Sequence, residues 1–308
     1  MKVITCFSYK GGSGRTVAAA NIAAALASSQ SIAAIEEPLD YKVAIIDLDV
    51  FSAGTHRVFE IANSVMQESK SCIQDYLLGQ IEPAAHAAEG GISLKDNAMD
   101  GFASRGARGN CREDLTLFPA KPQPGDRFIV AKYHENLLLE LILELERNQF
   151  DYVLLDGEAG TRAMADIAIR LSDLVLMFFR LTWQHVEGSY SVANFFKKKE
   201  GSPAVYLIPS CVPLTGEDDG VYQATAPGLG ELKDNTDRIP EDSKLKELLE
   251  KDRDGMGYFY SRSLFIHDSL ILKGGERILV YDSLIDRDRA AADYYHIARE
   301  LSERHKPK

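Results

Sequence analysis

The run Ser8-Tyr9-Lys10-Gly11-Gly12-Ser13-Gly14-Arg15-Thr16 constrains this chain more than any other stretch. Ahead of it, Val3 to Phe7 is apolar, β-branched and aromatic, the composition of a buried strand. Behind it, Val17 to Ala27 is an almost unbroken Ala/Leu/Ile segment with high helix propensity. Strand, glycine turn and helix in that order let successive backbone N–H groups curl around an anion. The helix N-terminus adds its own unpaired donors and dipole. The residues so placed are Gly11, Gly12, Ser13, Gly14, Arg15, Thr16 and the first apolar helix residue, Val17. Thr16 stands where a hydroxyl would hold Mg2+ beside a phosphate. A glycine-rich turn can also bind nothing, so the reading depends on what the rest of the chain supplies.

Two further segments supply it. Lys42 to Asp49 is an apolar strand that ends in Asp47 and Asp49, two acids on one face of an extended chain. Such a strand delivers its side chains to the carboxyl edge of a parallel sheet, the edge at which a glycine loop following the first strand also lies. Acids there can bind metal-held water and orient or deprotonate an attacking water. Phe150 to Gly160 repeats the design: Tyr152-Val153-Leu154-Leu155 runs into Asp156, followed by Gly157 and Gly160. An acid at that point reaches Mg2+ through water, while the glycines let the loop respond to a terminal phosphate. Strand-end acids also serve as plain caps. It is the order of the three segments that favours a nucleotide site.

The loop departs from the usual G-x-x-x-x-G-K-[ST] in two places, with Tyr9 for the first glycine and Arg15 for the lysine, while Lys10 precedes the paired glycines. In this form it resembles the deviant Walker A loop of the ParA/MinD superfamily of ATPases, in a branch where arginine replaces the P-loop lysine. The Asp47-x-Asp49 and Asp156 segments are similar to that superfamily's second and third motifs. The resemblance implies a SIMIBI-type P-loop NTPase that binds ATP with Mg2+ and forms a nucleotide-dependent homodimer. It further implies slow or partner-stimulated hydrolysis, with a protein partner that the sequence does not identify. By the same resemblance Asp49 is the water-positioning acid, Asp47 and Asp156 with Thr16 organise the metal, and Lys10 reaches the phosphates of the partner subunit as an arginine finger does. Pro209 and Ser210 occupy the stretch that approaches the base, where an asparagine is common, so ATP against GTP stays open. Arg15 is broader and bidentate where a lysine is a point charge; phosphate binding can survive the exchange, but turnover can be very slow or absent. A non-hydrolysing nucleotide sensor or scaffold is the alternative, and a tyrosine kinase of the same superfamily finds only Tyr294-Tyr295 as a target cluster.

Composition narrows the partners. With 46 acidic and 35 basic residues the formal charge is −11, which argues against a nucleic-acid partner. Lys197 to Lys199 read as a helix C-terminus complementing its dipole. Cys6, Cys72, Cys111 and Cys211 are scattered without paired spacing, as expected of reduced thiols in a cytoplasmic protein. No apolar run is long enough to span a bilayer, and the start enters the first strand directly.

Apolar strands near residues 3–7, 43–47, 115–119, 151–155, 174–179, 204–209 and 263–266 alternate with helical stretches, the pattern of an α/β, doubly wound, mostly parallel sheet flanked by helices. We expect a single domain over residues 1–308 with insertions at about 81–114 and 215–257. The first loses periodicity and gathers Arg105, Arg108 and Arg112; the second is acidic and punctuated by Gly and Pro. Residues 51–57 are expected to form a first switch loop, and residues 58–78 carry helical spacing.

Overall fold

Alternate residues of the central strands face opposite layers, and both sets are apolar. In the computed structural model, which describes residues 1–28, 38–59, 61, 72–89, 91–94, 114–121, 129–197, 202–212, 264–268 and 289–307, strand β1 (Lys2–Phe7) sends Ile4 and Cys6 to one core and Val3 to another. β2 (Val43–Asp47) divides Val43 and Ile45 from Ala44 and Ile46 in the same way. Burial on both faces is why these strands read as continuous apolar runs.

The remaining strands are β3 (Ile92–Ser93), β4 (Leu115–Phe118), β5 (Tyr152–Asp156), β6 (Leu174–Arg180), β7 (Ala204–Val212) and β8 (Ile266–His267). They form one sheet in the order β3-β4-β2-β5-β1-β6-β7-β8, parallel throughout except for the antiparallel edge pair β3–β4. This is the doubly wound, mostly parallel architecture expected from the alternation of elements.

Among the described residues the helices are α1 (Arg15–Leu26), α2 (Thr55–Val58), α3 (Ile73–Leu77), α4 (Pro83–Glu89), α5 (Tyr133–Arg147), α6 (Ala163–Arg170), α7 (Trp183–Lys197) and α8 (Arg289–Arg304). α1 lies between the sheet and α8, buried nearly all round, which its alanines allow because small side chains let helices approach closely. On the opposite face α5 and α6 pack Leu138, Leu141, Leu145, Met164 and Ile167 against the other set of strand residues.

The structure differs from the sequence reading in three places. The expected helical stretch 58–78 is represented by a turn of α2 and by α3, with 60 and 62–71 outside the described residues. The aperiodic stretch 81–114 contains α4 and β3, and Arg105, Arg108 and Arg112 fall outside the described residues. All of 215–257 lies outside them as well. The second half of the expected switch loop is helical, with Thr55 and His56 fully buried.

Candidate nucleotide and metal site

The register of the three central strands gathers the predicted residues at one edge. Cys6 of β1 and Asp47 of β2 both stand opposite Asp156 of β5, so the loop after β1 emerges beside two strand-end carboxylates. That loop turns through Gly12 at φ 77° and Gly14 at φ 75°, a left-handed backbone that suits glycine. Gly14 precedes the first turn of α1, whose first bond runs from Ala18 N–H to the Gly14 carbonyl at 2.8 Å. Above Gly11, Gly12 and Gly14 a side-chain carbon would meet no described atom within 4 Å. The loop therefore borders open space at its glycines.

Arg15 does not point into that space. Its guanidinium is buried under the loop, with Nε donating to Asp156 Oδ1 at 2.9 Å, Nη2 to Asp49 Oδ2 at 3.3 Å and Nη1 to Ser8 Oγ at 3.4 Å. Burial works against its charge, but Asp156, Asp49 and Asp47 outweigh it, so the guanidinium is held more firmly protonated than usual. The other oxygen of Asp156, Oδ2, accepts from Thr55 Oγ1 at 3.0 Å. Asp47 is completely buried and accepts three backbone N–H groups, from Asp49 at 3.1 Å, Gly54 at 3.3 Å and Thr55 at 3.2 Å. Burial, reinforced by Asp156, pushes its carboxyl up to about 7, although the Thr55 and Asp49 amides pull the other way. Arg15 is thus the shared counter-ion of Asp156 and Asp49, with the buried Asp47 beside them.

Thr16 is half-buried on the first turn of α1, with Val17 beside it. Ser13 is buried, and its Oγ finds no hydrogen-bond partner among the described residues. The loop is propped from below by Ser210, whose hydroxyl donates to the Ser13 carbonyl at 2.7 Å and contacts the Phe179 carbonyl at 3.2 Å. Ser210 and the buried Pro209 thus sit at the carboxyl end of β7, next to a register shift and the left-handed Cys211. Lys10 points the other way, to Gln184 Oε1 of α7 at 2.8 Å. Tyr9 lies flat against the same helix: a side-chain carbon at Gly188 would fall 1.9 Å from its Cδ1. The structure brings Arg15, Asp47, Asp49 and Asp156 into one cluster and leaves Lys10 outside it, with Thr16 following Arg15 on α1.

Three participants were not singled out by the sequence. Thr55 binds Asp156 across the sheet edge, and its one signal is a hydroxyl residue shortly after Asp47-x-Asp49. Gln184 left none, because its role follows only from where α7 lies. Glu158, two residues beyond Asp156, is buried with Oε2 on Arg162 Nη1 at 3.4 Å, while Oε1 has no hydrogen-bond partner among the described residues. Burial pushes its carboxyl upward and Arg162 opposes that.

The donor set suits a hard cation, which takes carboxylate, hydroxyl and water oxygens. Asp47, Asp156 and Thr16 provide these, and a glycine loop at the N-terminus of α1 suits an anionic oxygen group. The residues present therefore fit both Mg2+ and a phosphate chain.

Comparison with known proteins bears on the family and the fold. The AAA domain family matches residues 1–203. No curated protein matches in sequence. Among solved structures, the fold is similar to the MinC:MinD cell division protein complex of Aquifex aeolicus, at 18% identity and a TM-score of 0.62 over 100% of this chain and 98% of that one. It is similar to the septum site-determining protein MinD of Pyrococcus horikoshii, complexed with Mg-ADP, at 17% identity and 0.59 over 98% and 96%. A plasmid partition protein of Borrelia burgdorferi bound to AMPPNP gives 18% identity and 0.60 over 98% of each chain. With the family match spanning the glycine loop and both strand-end acids, the chain belongs to the AAA domain family, and its fold is that of the ParA/MinD superfamily.

Proposed function

We infer that the chain is a nucleotide-dependent switch that takes ATP with Mg2+, pairs with a second copy and releases it after slow or partner-stimulated hydrolysis. The observation that carries this reading is the meeting of Asp47, Asp49 and Asp156 from two neighbouring strand ends beneath an anion-ready loop. Gly11 to Thr16 and Val17 would hold the phosphates, and Thr16 with Asp156 the metal, with Asp47 supporting its water shell. Bound Mg2+ would supply charge neutralisation for the phosphate oxygens. Asp49 would orient water. Lys10, which lies outside the cluster on Gln184 of α7, would leave that contact to reach the phosphates of a second copy. The Mg-ADP and AMPPNP complexes of the structural neighbours support the choice of ligand.

A protein partner belongs to the same reading. A cavity of ≈ 530 Å3 bounded by Tyr9, Thr161, Arg162, Ala165 and Phe195 opens beside α7, where Tyr190 and Phe195 are exposed. Tyr9 belongs to the phosphate loop, so occupancy of that loop can alter this surface, and the MinC:MinD complex supports a partner in principle.

One observation favours the second reading, a sensor or scaffold that binds nucleotide without turning it over. Asp49, the acid assigned to the water, is tied to Arg15. Calorimetry with ATP and GTP, with and without Mg2+, tests the common core. Binding that requires Mg2+, with light scattering reporting a dimer in its presence, is the expected result. Absence of heat from either nucleotide would overturn both readings. Phosphate release measured alone and with candidate partners then separates them.

A further inference from the structure

Asp156 has no oxygen to spare: Oδ1 takes Arg15 Nε and Oδ2 takes the Thr55 hydroxyl. Asp49 takes a second arm of the same guanidinium, together with the Ser52 amide. The cation needed to balance these acids is supplied by the protein itself, and it is a buried one, Arg15 being only 7% exposed. Guanidinium is also permanently charged and planar, so it can hold two carboxylates at once where an ammonium cannot do so in the same geometry.

Building on the nucleotide reading above, we propose that Arg15 is the specificity-determining residue of the metal site: it occupies the acids as an internal counter-ion and excludes a free divalent cation, so that metal enters only with nucleotide. A triphosphate arriving on the loop presents several anionic oxygens to Arg15, which leaves Asp156 and Asp49 for them. Asp156 and Asp49 would then be left without their counter-ion and free to hold Mg2+ bound with the phosphates, which would supply the missing positive charge. Thr55 couples this exchange to α2, because the carboxylate that Arg15 releases is the one that anchors the start of that helix.

The experiment titrates Mn2+ into the nucleotide-free full chain and follows the free ion by electron paramagnetic resonance. Wild type is expected to bind Mn2+ at least tenfold more weakly than Arg15→Gln, which should take up one ion per chain. Arg15→Lys keeps a charge beside Asp156 but cannot span both acids in the same geometry, so its Mn2+ affinity should fall between those of wild type and Arg15→Gln. Adding Asp156→Asn to Arg15→Gln should abolish the gained site. Equal Mn2+ binding by wild type and Arg15→Gln, or a gained site that survives Asp156→Asn, overturns the proposal.

Because Arg15→Gln leaves buried acids uncompensated and can fail to fold, a measurement on wild type stands beside it. The Arg15 Nε–H, identified by its loss in Arg15→Lys, should give a slowly exchanging NMR resonance that Mg2+ alone leaves in place and Mg-ATP shifts. Movement by Mg2+ alone, or none when a fluorescent ATP analogue shows the site filled, sinks the exchange. If the analogue does not bind at all, it is the nucleotide reading that falls, and the Mn2+ comparison still decides whether Arg15 guards the acids.

Discussion

At the scale of single residues, the ion pair of Arg15 and Asp156 carries the most weight, since both side chains are buried and each is the other's main compensation. Removing one member of such a pair strands the other charge in a poorly solvating surrounding. Asp156→Ala is therefore expected to destabilise the nucleotide-free protein by about 3 kcal/mol, read as a fall in the urea midpoint with unchanged slope. Retained stability would mean that Asp49 alone satisfies Arg15. A second prediction concerns Tyr9 and Gly188. Gly188→Ala sets a methyl within 1.9 Å of the Tyr9 ring, an overpacking expected to cost about 1–3 kcal/mol. In a Tyr9→Ala background the same change should cost little, and a double-mutant cycle measures the difference. The glycine loop and the three aspartates were legible from residue order, because a strand followed by an acid puts that acid at a sheet edge. The direction of Arg15 was not legible: a P-loop cation can face the phosphate or the acids, and only the packed neighbourhood selects.

Among the elements, α4 and β3 show what periodicity misses. Residues 81–94 carry no repeating apolar stripe, yet His86 of α4 stacks on Tyr76 of α3, with ring centroids 4.8 Å apart and planes at 7°, and lies 5.5 Å from Phe118 of β4. A short helix held by ring contacts needs no amphipathic pattern of its own, since tertiary packing supplies its stability. His86 is fully buried, and neither ring nitrogen has a hydrogen-bond partner among the described residues. Burial pushes it down to about 4, with Asp75 opposing. A histidine depressed in the native state is bound by more protons in the unfolded one. Its stabilisation is thus complete above about pH 6.5 and is lost as pH falls toward 4, by at most about 3 kcal/mol. His86→Phe should flatten that part of the stability–pH curve, and an unchanged slope in denaturant titrations would count against the assignment. At the other end of the sheet, His267 of β8 gives both its backbone N–H and Nδ1 contact, each 2.8 Å, to Asp293 Oδ2 of α8. Asp293→Ala leaves the buried amide without that acceptor and should cost about 2 kcal/mol in thermal or chemical unfolding.

For the whole molecule, a nucleotide held as proposed would bind the native state and find no comparable site in the unfolded chain. Mg-ATP at a hundred times its dissociation constant should therefore raise stability by about 2.7 kcal/mol, seen as an upward shift of the melting midpoint. The shift should be absent with Mg2+ alone. Among the described residues no helix is long and apolar enough to cross a membrane.

Sequence by itself determined the order of strands and helices, the both-faced burial of the central strands, and the three places where polar residues interrupt apolar runs at the same edge. These follow from local rules: strand and helix propensity, glycine's access to positive φ, and the geometry of a parallel sheet. Tertiary structure alone decided which charges touch, because Arg15 meets Asp156 across 141 residues and Lys10 meets Gln184 across 174. Contacts of that range depend on how the layers pack and on how buried charge is balanced, and no window along the chain contains both partners.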